Sequence, residues 1–163
     1  MRSGLIGPPL GVAYQNVIRR YLATGAVVRG QIVEVDLGRA NAGTLSNVVG
    51  ARDSCLARIL NAPTSRGETG GCWVGVAMED AIAGIPTPIC LSGDVFILCA
   101  GSPSSVNSGD ALFASSGNTY LGNVSAAGKR CHALAIETVA TPTGAKLVRC
   151  LFEGRYGWNT AAS

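Results

Sequence analysis

The sequence is poor in the residues that most catalytic and metal sites use. It holds one histidine, and no two of its six cysteines form a CxxC pair. Structural zinc sites need ligands paired at short spacing, so neither a metal nor another cofactor is predicted. Cys131-His132 combines a nucleophile with a base, but neighbours on a strand point to opposite faces. We therefore expect no catalytic residues and no enzymatic activity.

Charge and aromatic side chains are also scarce. Charged residues make up 14% of the chain, against about 25% in ordinary soluble domains, and aromatic residues make up 6%. No Lys/Arg cluster is interleaved with aromatic residues, which argues against nucleic-acid binding. No apolar run reaches the roughly 18 residues of a membrane span. So little charge leaves little polar surface to keep the chain monomeric, and we expect it to assemble.

What the sequence has instead is glycine and short apolar runs. Runs bounded by Gly, Pro, Asn and Ser indicate an all-β domain, a small β-barrel or β-tulip of short antiparallel strands. The most apolar runs are residues 73–78, 95–100, 133–139 and 147–152. Three hairpins are predicted, which pair residues 86–91 with 94–100 around Ser92-Gly93, 110–114 with 119–124, and 131–139 with 146–153.

Residues 27–37 predict a further strand with one buried face. Its apolar residues Val33, Val35 and Leu37 alternate with Glu34 and Asp36. This is the period of a half-buried strand, with the two acidic side chains in solvent.

The barrel domain is predicted over residues 23–153, with an insertion at 38–71 that contains a short helix at 51–60. Residues 1–22 are expected to form an extended arm and a first strand, and residues 154–163 a tail. Helix in the arm is excluded by Gly4, Gly7, Pro8, Pro9 and Gly11. Gly7-Pro8-Pro9 also interrupts any signal peptide. We therefore expect the cysteines to be reduced, and Cys90, Cys99 and Cys150 to be buried.

A weak internal echo relates two segments of the chain. Residues 76–81 resemble residues 134–139, and each segment lies downstream of a turn, Gly30-Gln31 or Gly109-Asp110. Two related halves that close one small barrel would explain the echo. Chance similarity between two alanine-rich strands would explain it too.

Positive charge is concentrated in the first part of the chain. Residues 1–66 hold eight arginines and three acidic residues, a net charge of +5, whereas residues 67–163 hold five basic and seven acidic residues, a net charge of −2. Arginine pairs with carboxylates and phosphates through two parallel hydrogen bonds. Both a solvated basic face and a docking surface for an acidic partner fit this distribution.

Several of these runs, in this order, resemble the head decoration (capsid cement) proteins of tailed bacteriophages. The likeness covers residues 24–152, and both the insertion at 38–71 and the long arm depart from the pattern. The runs that carry the resemblance are residues 27–33, 74–84, 92–96, 108–113 and 132–152.

The resemblance implies a structural virion protein on the outer capsid surface, assembled as a homotrimer or, less often, a dimer. It would bridge neighbouring major capsid protein subunits and stabilise the shell. Its partners would be the capsid protein and itself, not nucleic acid or a membrane. We predict that the contact with the shell uses the arm and the arginines of the first half, namely Leu5, Ile6, Pro8, Pro9, Leu10, Arg19, Arg20, Arg29 and Arg39.

Two other functions stay open at this point. A carbohydrate- or cell-surface-binding β module of the virion would need an exposed aromatic platform, for which the candidates are Trp73, Tyr120, Tyr156 and Trp158. An enzyme with a barrel core would have to recruit Cys131, His132 and Glu137.

Overall fold

The computed structural model describes residues 16–36, 58–69, 72–124 and 128–154. These residues form β-strands and one helical turn, which confirms the all-β prediction. The elements are β1 Val17–Ala23, β2 Ile32–Asp36, β3 Arg58–Leu60, α1 Ser65–Glu68, β4 Trp73–Ala77, β5 Pro86–Ala100, β6 Ser105–Val106, β7 Ala111–Phe113, β8 Leu121–Gly122, β9 Cys131–Ala135, β10 Val139–Ala140 and β11 Lys146–Glu153.

Nine of these strands form one sheet that closes on itself twice. The strand order is β1-β3-β2-β4-β5-β11-β9-β7-β8, with further pairings β1–β5 and β5–β8. The first ring, barrel 1, consists of β1, β3, β2, β4 and the first half of β5. The second ring, barrel 2, consists of the second half of β5 with β11, β9, β7 and β8. The chain thus builds two five-stranded barrels that share one strand, where the sequence predicted a single barrel.

The prediction of a hairpin around Ser92-Gly93 is wrong. Residues 86–100 form a single strand of 15 residues, which is neither short nor broken. β11 pairs across the supposed turn, with Phe152 opposite Gly93. Gly93 has a φ of +127°, and a Cβ there would lie 2.8 Å from the Cα of Asn16. The glycine therefore permits a bend and a close approach of β1 where β5 passes from one barrel to the other.

The pairings predicted for the other two hairpins are confirmed in large part. β7 pairs with β8 and β9 pairs with β11, both antiparallel, as predicted. However, Val139–Ala140 leaves the last hairpin and pairs with β6 in a separate two-stranded sheet. The expectation of antiparallel pairing throughout is also wrong, because β1–β3 and β5–β8 are parallel.

The predicted insertion contributes directly to the sheet. Arg58–Leu60, the end of the predicted helix 51–60, is strand β3, and the helical turn lies further on, at Ser65–Glu68. Residues 37–57 and the tail 155–163 lie outside the described residues, and so does most of the arm, residues 1–15.

The backbone hydrogen bonds of barrel 1 recur in barrel 2. In each barrel a glycine N–H donates to an alanine, and that alanine N–H donates back to the residue after the glycine. The bonds are Gly30 N to Ala77 O (2.8 Å) and Ala77 N to Gln31 O (2.9 Å), and Gly109 N to Ala135 O (2.8 Å) and Ala135 N to Asp110 O (3.0 Å). The echo between residues 76–81 and 134–139 thus has the register of a structural repeat.

Strand pairing extends the repeat to both whole barrels. The parallel pair Ala23 and Ile59 in barrel 1 corresponds to Cys99 and Leu121 in barrel 2. The asparagine two residues later in each barrel donates its side-chain N–H to a backbone carbonyl of its own barrel, at 3.3 Å for Asn61 to Ala26 and 3.2 Å for Asn123 to Ser105. The two related halves exist, but each half closes its own barrel.

Each barrel has its own apolar interior, built from equivalent positions. Barrel 1 is filled by Tyr21, Ala23, Val27, Val33, Val35, Ile59, Ala77, Ile89 and Leu91. Barrel 2 is filled at the same positions by Ile97, Cys99, Val106, Leu112, Ala114, Leu121, Ala135, Cys150 and Phe152. Cys90, Cys99 and Cys150 are fully buried, as predicted.

Strand β2 is buried on both faces, so the prediction of a half-buried strand is wrong. Val33 and Val35 face the interior of barrel 1, as expected. The opposite face, which carries Ile32 and Glu34, is covered as well, and Glu34 is only 3% exposed. A period of two cannot distinguish a solvated face from a face that another barrel covers.

Candidate functional site

The residues weighed for catalysis do not form a catalytic group. Cys131 lies on the interior side of β9, where its Sγ is 3.2 Å from the carbonyl of Ala133 and burial raises the pKa of the thiol. The ring of His132 lies on the opposite side of the strand, with Nε2 3.1 Å from the carbonyl oxygen of Gly67. Glu137 is engaged elsewhere, since its Oε1 accepts the backbone N–H of Arg149 at 2.7 Å.

Other site types also find no support in the described part of the chain. No three His, Cys, Asp or Glu side chains there are grouped so that they could hold a metal ion. No helix among the described residues is long and apolar enough to cross a membrane. Trp73 and Tyr120 are half-buried, while Tyr156 and Trp158 lie outside the described residues. The surfaces of the two barrels are therefore the features from which a function can be argued.

Helical turn α1 contacts both barrels, and the buried carboxylate of Glu34 accepts hydrogen bonds at its start. Glu34 of β2 accepts hydrogen bonds from Thr64 N at 2.7 Å and Gly67 N at 3.1 Å, and from the Thr64 hydroxyl at 2.8 Å. These donors lie at the start of α1, where backbone N–H groups lack partners within the helix. On the side of barrel 2, Glu68 forms an ion pair with Lys129 at 2.8 Å.

His132 of barrel 2 also contacts α1, through the carbonyl oxygen of Gly67. Desolvation lowers the pKa of the buried imidazole to about 4, although the carbonyls of Gly67 and Glu153 favour the protonated form. With Nε2–H donating to Gly67, Nδ1 carries no proton, and it has no hydrogen-bond partner among the described residues. The neutral ring is thus the form that the fold accommodates.

We expect the free energy of unfolding to fall as the pH is lowered from about 6.5 to about 4. Across this window the unfolded chain binds a proton at His132 that the folded protein rejects, which costs about 3 kcal/mol in total. Chemical denaturation of the wild type and of His132→Gln at several pH values measures the effect. The Gln variant should show a shallower pH dependence, and parallel curves would contradict the assignment.

Two of the predicted shell-binding arginines share the outer surface of barrel 1. Arg20 of β1 is exposed, lies opposite Pro88 of β5 and donates from Nη1 to Pro86 O at 3.2 Å. Arg29 is exposed in the turn before β2, where its backbone N–H donates to Asp80 Oδ1 at 2.7 Å. Arg20 and Arg29, together called the basic surface, flank the strand pair β4–β5.

The remaining predicted residues are placed differently. Arg19 is exposed but lies on the side of Tyr21, close enough to lower the pKa of the phenol against the larger raising effect of burial. Arg39 and the arm residues Leu5, Ile6, Pro8, Pro9 and Leu10 lie outside the described residues.

Sequence reasoning missed an apolar outer surface on barrel 2, here called the barrel 2 face. It crosses strands β5, β11 and β9, where Leu147 lies opposite Leu98 and Leu151 lies between Asp94 and Leu134. Its large side chains are exposed by 45% (Phe96), 38% (Leu134), 42% (Ile136) and 41% (Leu147). The signal in the sequence was that apolar residues occupy both faces of the last hairpin. An exposed apolar patch of this kind commonly marks an interaction site.

One ion pair crosses the barrel 2 face. The guanidinium of Arg149 donates hydrogen bonds to the carboxylate of Asp94, with Nε 3.0 Å from Oδ1 and 3.1 Å from Oδ2. The hydrogen bond to Asp94 raises the pKa of Arg149. Asp94 and Phe96 also line a pocket of about 90 Å³ together with Arg29 and Met78 of barrel 1. The pocket thus lies where the barrel 2 face meets the basic surface.

Comparison with known proteins identifies a protein of similar structure. No protein-family model and no curated protein matches the sequence. Among solved structures, the chain is similar to the N base of the head fiber protein gp8.5 of bacteriophage phi29, with a TM-score of 0.53 and 15% sequence identity. The match covers 89% of this chain and 99% of the head fiber base. At this level of identity the similarity establishes a shared fold.

Proposed function

We propose that this chain is a structural protein of a phage virion that decorates the outer surface of the head. The observation that carries the proposal is the fold, since nearly the whole of the phi29 head fiber base is matched by this chain. The resemblance of residues 24–152 to capsid cement proteins was drawn from the sequence and points to the same place, the phage head. In this role the protein bridges neighbouring major capsid protein subunits and stabilises the shell, without catalysis.

The basic surface supports contact with an acidic shell. Arg20 and Arg29 are exposed on one side of barrel 1, where their guanidinium groups can pair with carboxylates of the capsid protein. Each exposed ion pair contributes only about 0–1 kcal/mol. These ion pairs are repeated over a symmetric shell. Their total contribution, together with apolar burial by the arm residues 5–10, would be enough for stable binding. The protein would act as a homotrimer. A dimer is the alternative, and the mass in solution, measured by size-exclusion chromatography with light scattering, distinguishes the two.

Reversing the charge of the basic surface is expected to weaken shell binding. Purified wild type, Arg20→Glu/Arg29→Glu and the control Lys146→Glu are mixed with expanded empty capsids, and bound protein is measured by co-sedimentation and electron microscopy. The double variant should bind about tenfold more weakly, equal to about 1.4 kcal/mol. The control, an exposed residue of barrel 2, should bind like wild type.

Three outcomes would count against the proposal or a part of it. Failure of the wild-type protein to decorate capsids would overturn the role itself. Equal binding by the double variant would remove the basic surface from it, and undiminished decoration by a protein that lacks residues 1–13 would remove the arm.

A further inference from the structure

The outer face of barrel 1 that carries β2, β4 and β5 is covered by barrel 2. Its apolar side chains are Ile32, Val74, Val76 and Cys90, each 0% exposed. They point away from the interior of barrel 1 and belong to the same core cluster as Val95 and Phe152 of barrel 2, among others. This face is therefore a barrel–barrel interface within the chain.

The equivalent face of barrel 2 is open except at His132, which takes the position of Val74 and is buried against α1. The repeat places Leu134 where barrel 1 has Val76, and Ile136 where barrel 1 has Met78, because Ala135 and Ala77 make the same hydrogen bonds. Leu134 is 38% exposed and Ile136 is 42% exposed. The positions of Ile32 and Cys90 correspond to Ala111 and Leu151, which are both half-buried. This surface of the repeat is thus fully buried in barrel 1 and largely exposed in barrel 2.

We propose that the barrel 2 face binds barrel 1 of a second copy of this chain. The contact between copies would repeat the contact that joins the two barrels within one chain. This inference rests on the self-association named in the proposed function and identifies the surface responsible for it. A second copy is the fitting occupant because it carries the same kind of barrel end that already covers this face in barrel 1.

Backbone hydrogen bonds identify the end of barrel 2 that covers barrel 1 and, through the repeat, the corresponding end of barrel 1. Where barrel 2 covers barrel 1, Val74 N donates to Gly154 O at 2.9 Å and Leu98 N donates to Gly30 O at 2.8 Å. The registers of β1 and β11 against β5 equate Gly93 with Gly154 and Arg19 with Val95. The corresponding end of barrel 1 therefore holds Gly93, at a bend that approaches Asn16 closely, and the exposed Arg19.

Charge is complementary between the two surfaces. The carboxylates around the barrel 2 face are Asp94 of β5, Glu137 after β9 and Glu153 of β11, and the cations of β11 are Lys146 and Arg149. The end of barrel 1 carries Arg19 in the position where the barrel–barrel interface within the chain has an apolar valine. An acidic rim around an apolar centre suits a partner whose matching end is basic.

The proposed contact is head-to-tail, because two different surfaces of the chain meet. Such contacts leave each added copy with one unused surface, so assembly continues until a ring closes, or forms an open filament if the rotation does not close. A ring of copies presents every basic surface in the same orientation, as attachment to a regular shell requires.

The mass in solution, measured by size-exclusion chromatography with light scattering and without capsids, tests the proposal. Wild type should be a closed oligomer, and Leu134→Asp/Ile136→Asp should have the mass of one chain and self-associate at least tenfold more weakly. The matched control is Ile82→Asp, since Ile82 is 68% exposed in a turn of barrel 1. This control should keep the wild-type mass. Ile136→Lys alone serves as a second variant if the double variant fails to fold, which circular dichroism reports.

A mixing experiment distinguishes head-to-tail assembly from symmetric pairing. Arg19→Glu damages one surface, and Leu134→Asp/Ile136→Asp damages the other. Mixed together, the two variants retain one intact pair of surfaces and should form a 1:1 dimer that cannot grow. A monomeric wild type, an unchanged mass for the barrel 2 variants, or failure of the mixture to dimerise would each overturn the proposal. Loss of capsid binding with an intact oligomer would instead count against the proposed function.

Discussion

Replacing Gly101 with alanine is expected to destabilise the protein by about 3 kcal/mol or more, which lowers Tm by roughly 6–12 °C. A Cβ at this position would overlap the carbonyl group of Ser105 and lie 2.7 Å from Val106 N. These are backbone atoms, and neighbouring bonds hold the loop, with Gly101 N donating to Thr141 Oγ1 at 2.9 Å and Thr141 N to Ser104 O at 2.7 Å. The loop cannot yield without losing them.

The repeat supplies the matched control for this substitution. Gly25 holds the equivalent position in barrel 1, and the three atoms nearest to a Cβ there all belong to the side chain of Asn61. A side chain can rotate away, at the cost of its hydrogen bond to Ala26 O, so Gly25→Ala should cost only about 1 kcal/mol. Thermal and chemical denaturation of both variants measures the difference. Equal losses would show that the two loops do not differ in the way the structure implies.

Replacing Glu34 with alanine is expected to destabilise the protein by about 2–4 kcal/mol. The substitution removes the acceptor for Thr64 N and Gly67 N, at 2.7 and 3.1 Å, and leaves one half-buried and one buried donor without this partner. It also loosens α1, so Gly67 should hold the ring of His132 less firmly. Faster hydrogen exchange at residues 64–69 is therefore expected together with the loss of stability.

Two controls separate this effect from a simple loss of negative charge. Glu79→Ala removes an exposed carboxylate from the turn after β4 and should change stability by no more than about 0.5 kcal/mol. Glu34→Gln keeps one acceptor oxygen and should recover part of the loss. If Glu34→Ala lowered the stability no more than Glu79→Ala does, the hydrogen bonds at the start of α1 would not be what keeps α1 in contact with both barrels.

Local pattern was sufficient for several elements of the fold. The run at residues 73–78 is β4, and the last hairpin forms from β9 and β11, because contiguous apolar residues bounded by turn residues have few other conformations open to them. The echo between residues 76–81 and 134–139 had the correct register, since both segments close the same turn in their own barrels. Glycine at position 93, by contrast, predicted a turn where a long strand bends.

The candidate surfaces could be predicted only in part. An excess of arginine in residues 1–66 indicated a basic surface, but the sequence could not show that Arg20 and Arg29 share one side of barrel 1 while Arg19 lies on another. The barrel 2 face escaped notice because Phe96, Leu134 and Leu147 come from three strands, which only the pairing of β5, β9 and β11 brings together.

By itself the sequence determined the all-β class and most of the strand positions, and it offered two related halves as one of two explanations of the internal echo. These properties depend on residues close together in the chain, where periodicity and turn residues act. Tertiary structure alone decided that the two halves exist, that each closes its own barrel, that Glu34 is buried and that one copy of a repeated face is covered while the other is largely open. The physical reason is that burial of a strand's second face depends on what packs against it, and here that is another barrel.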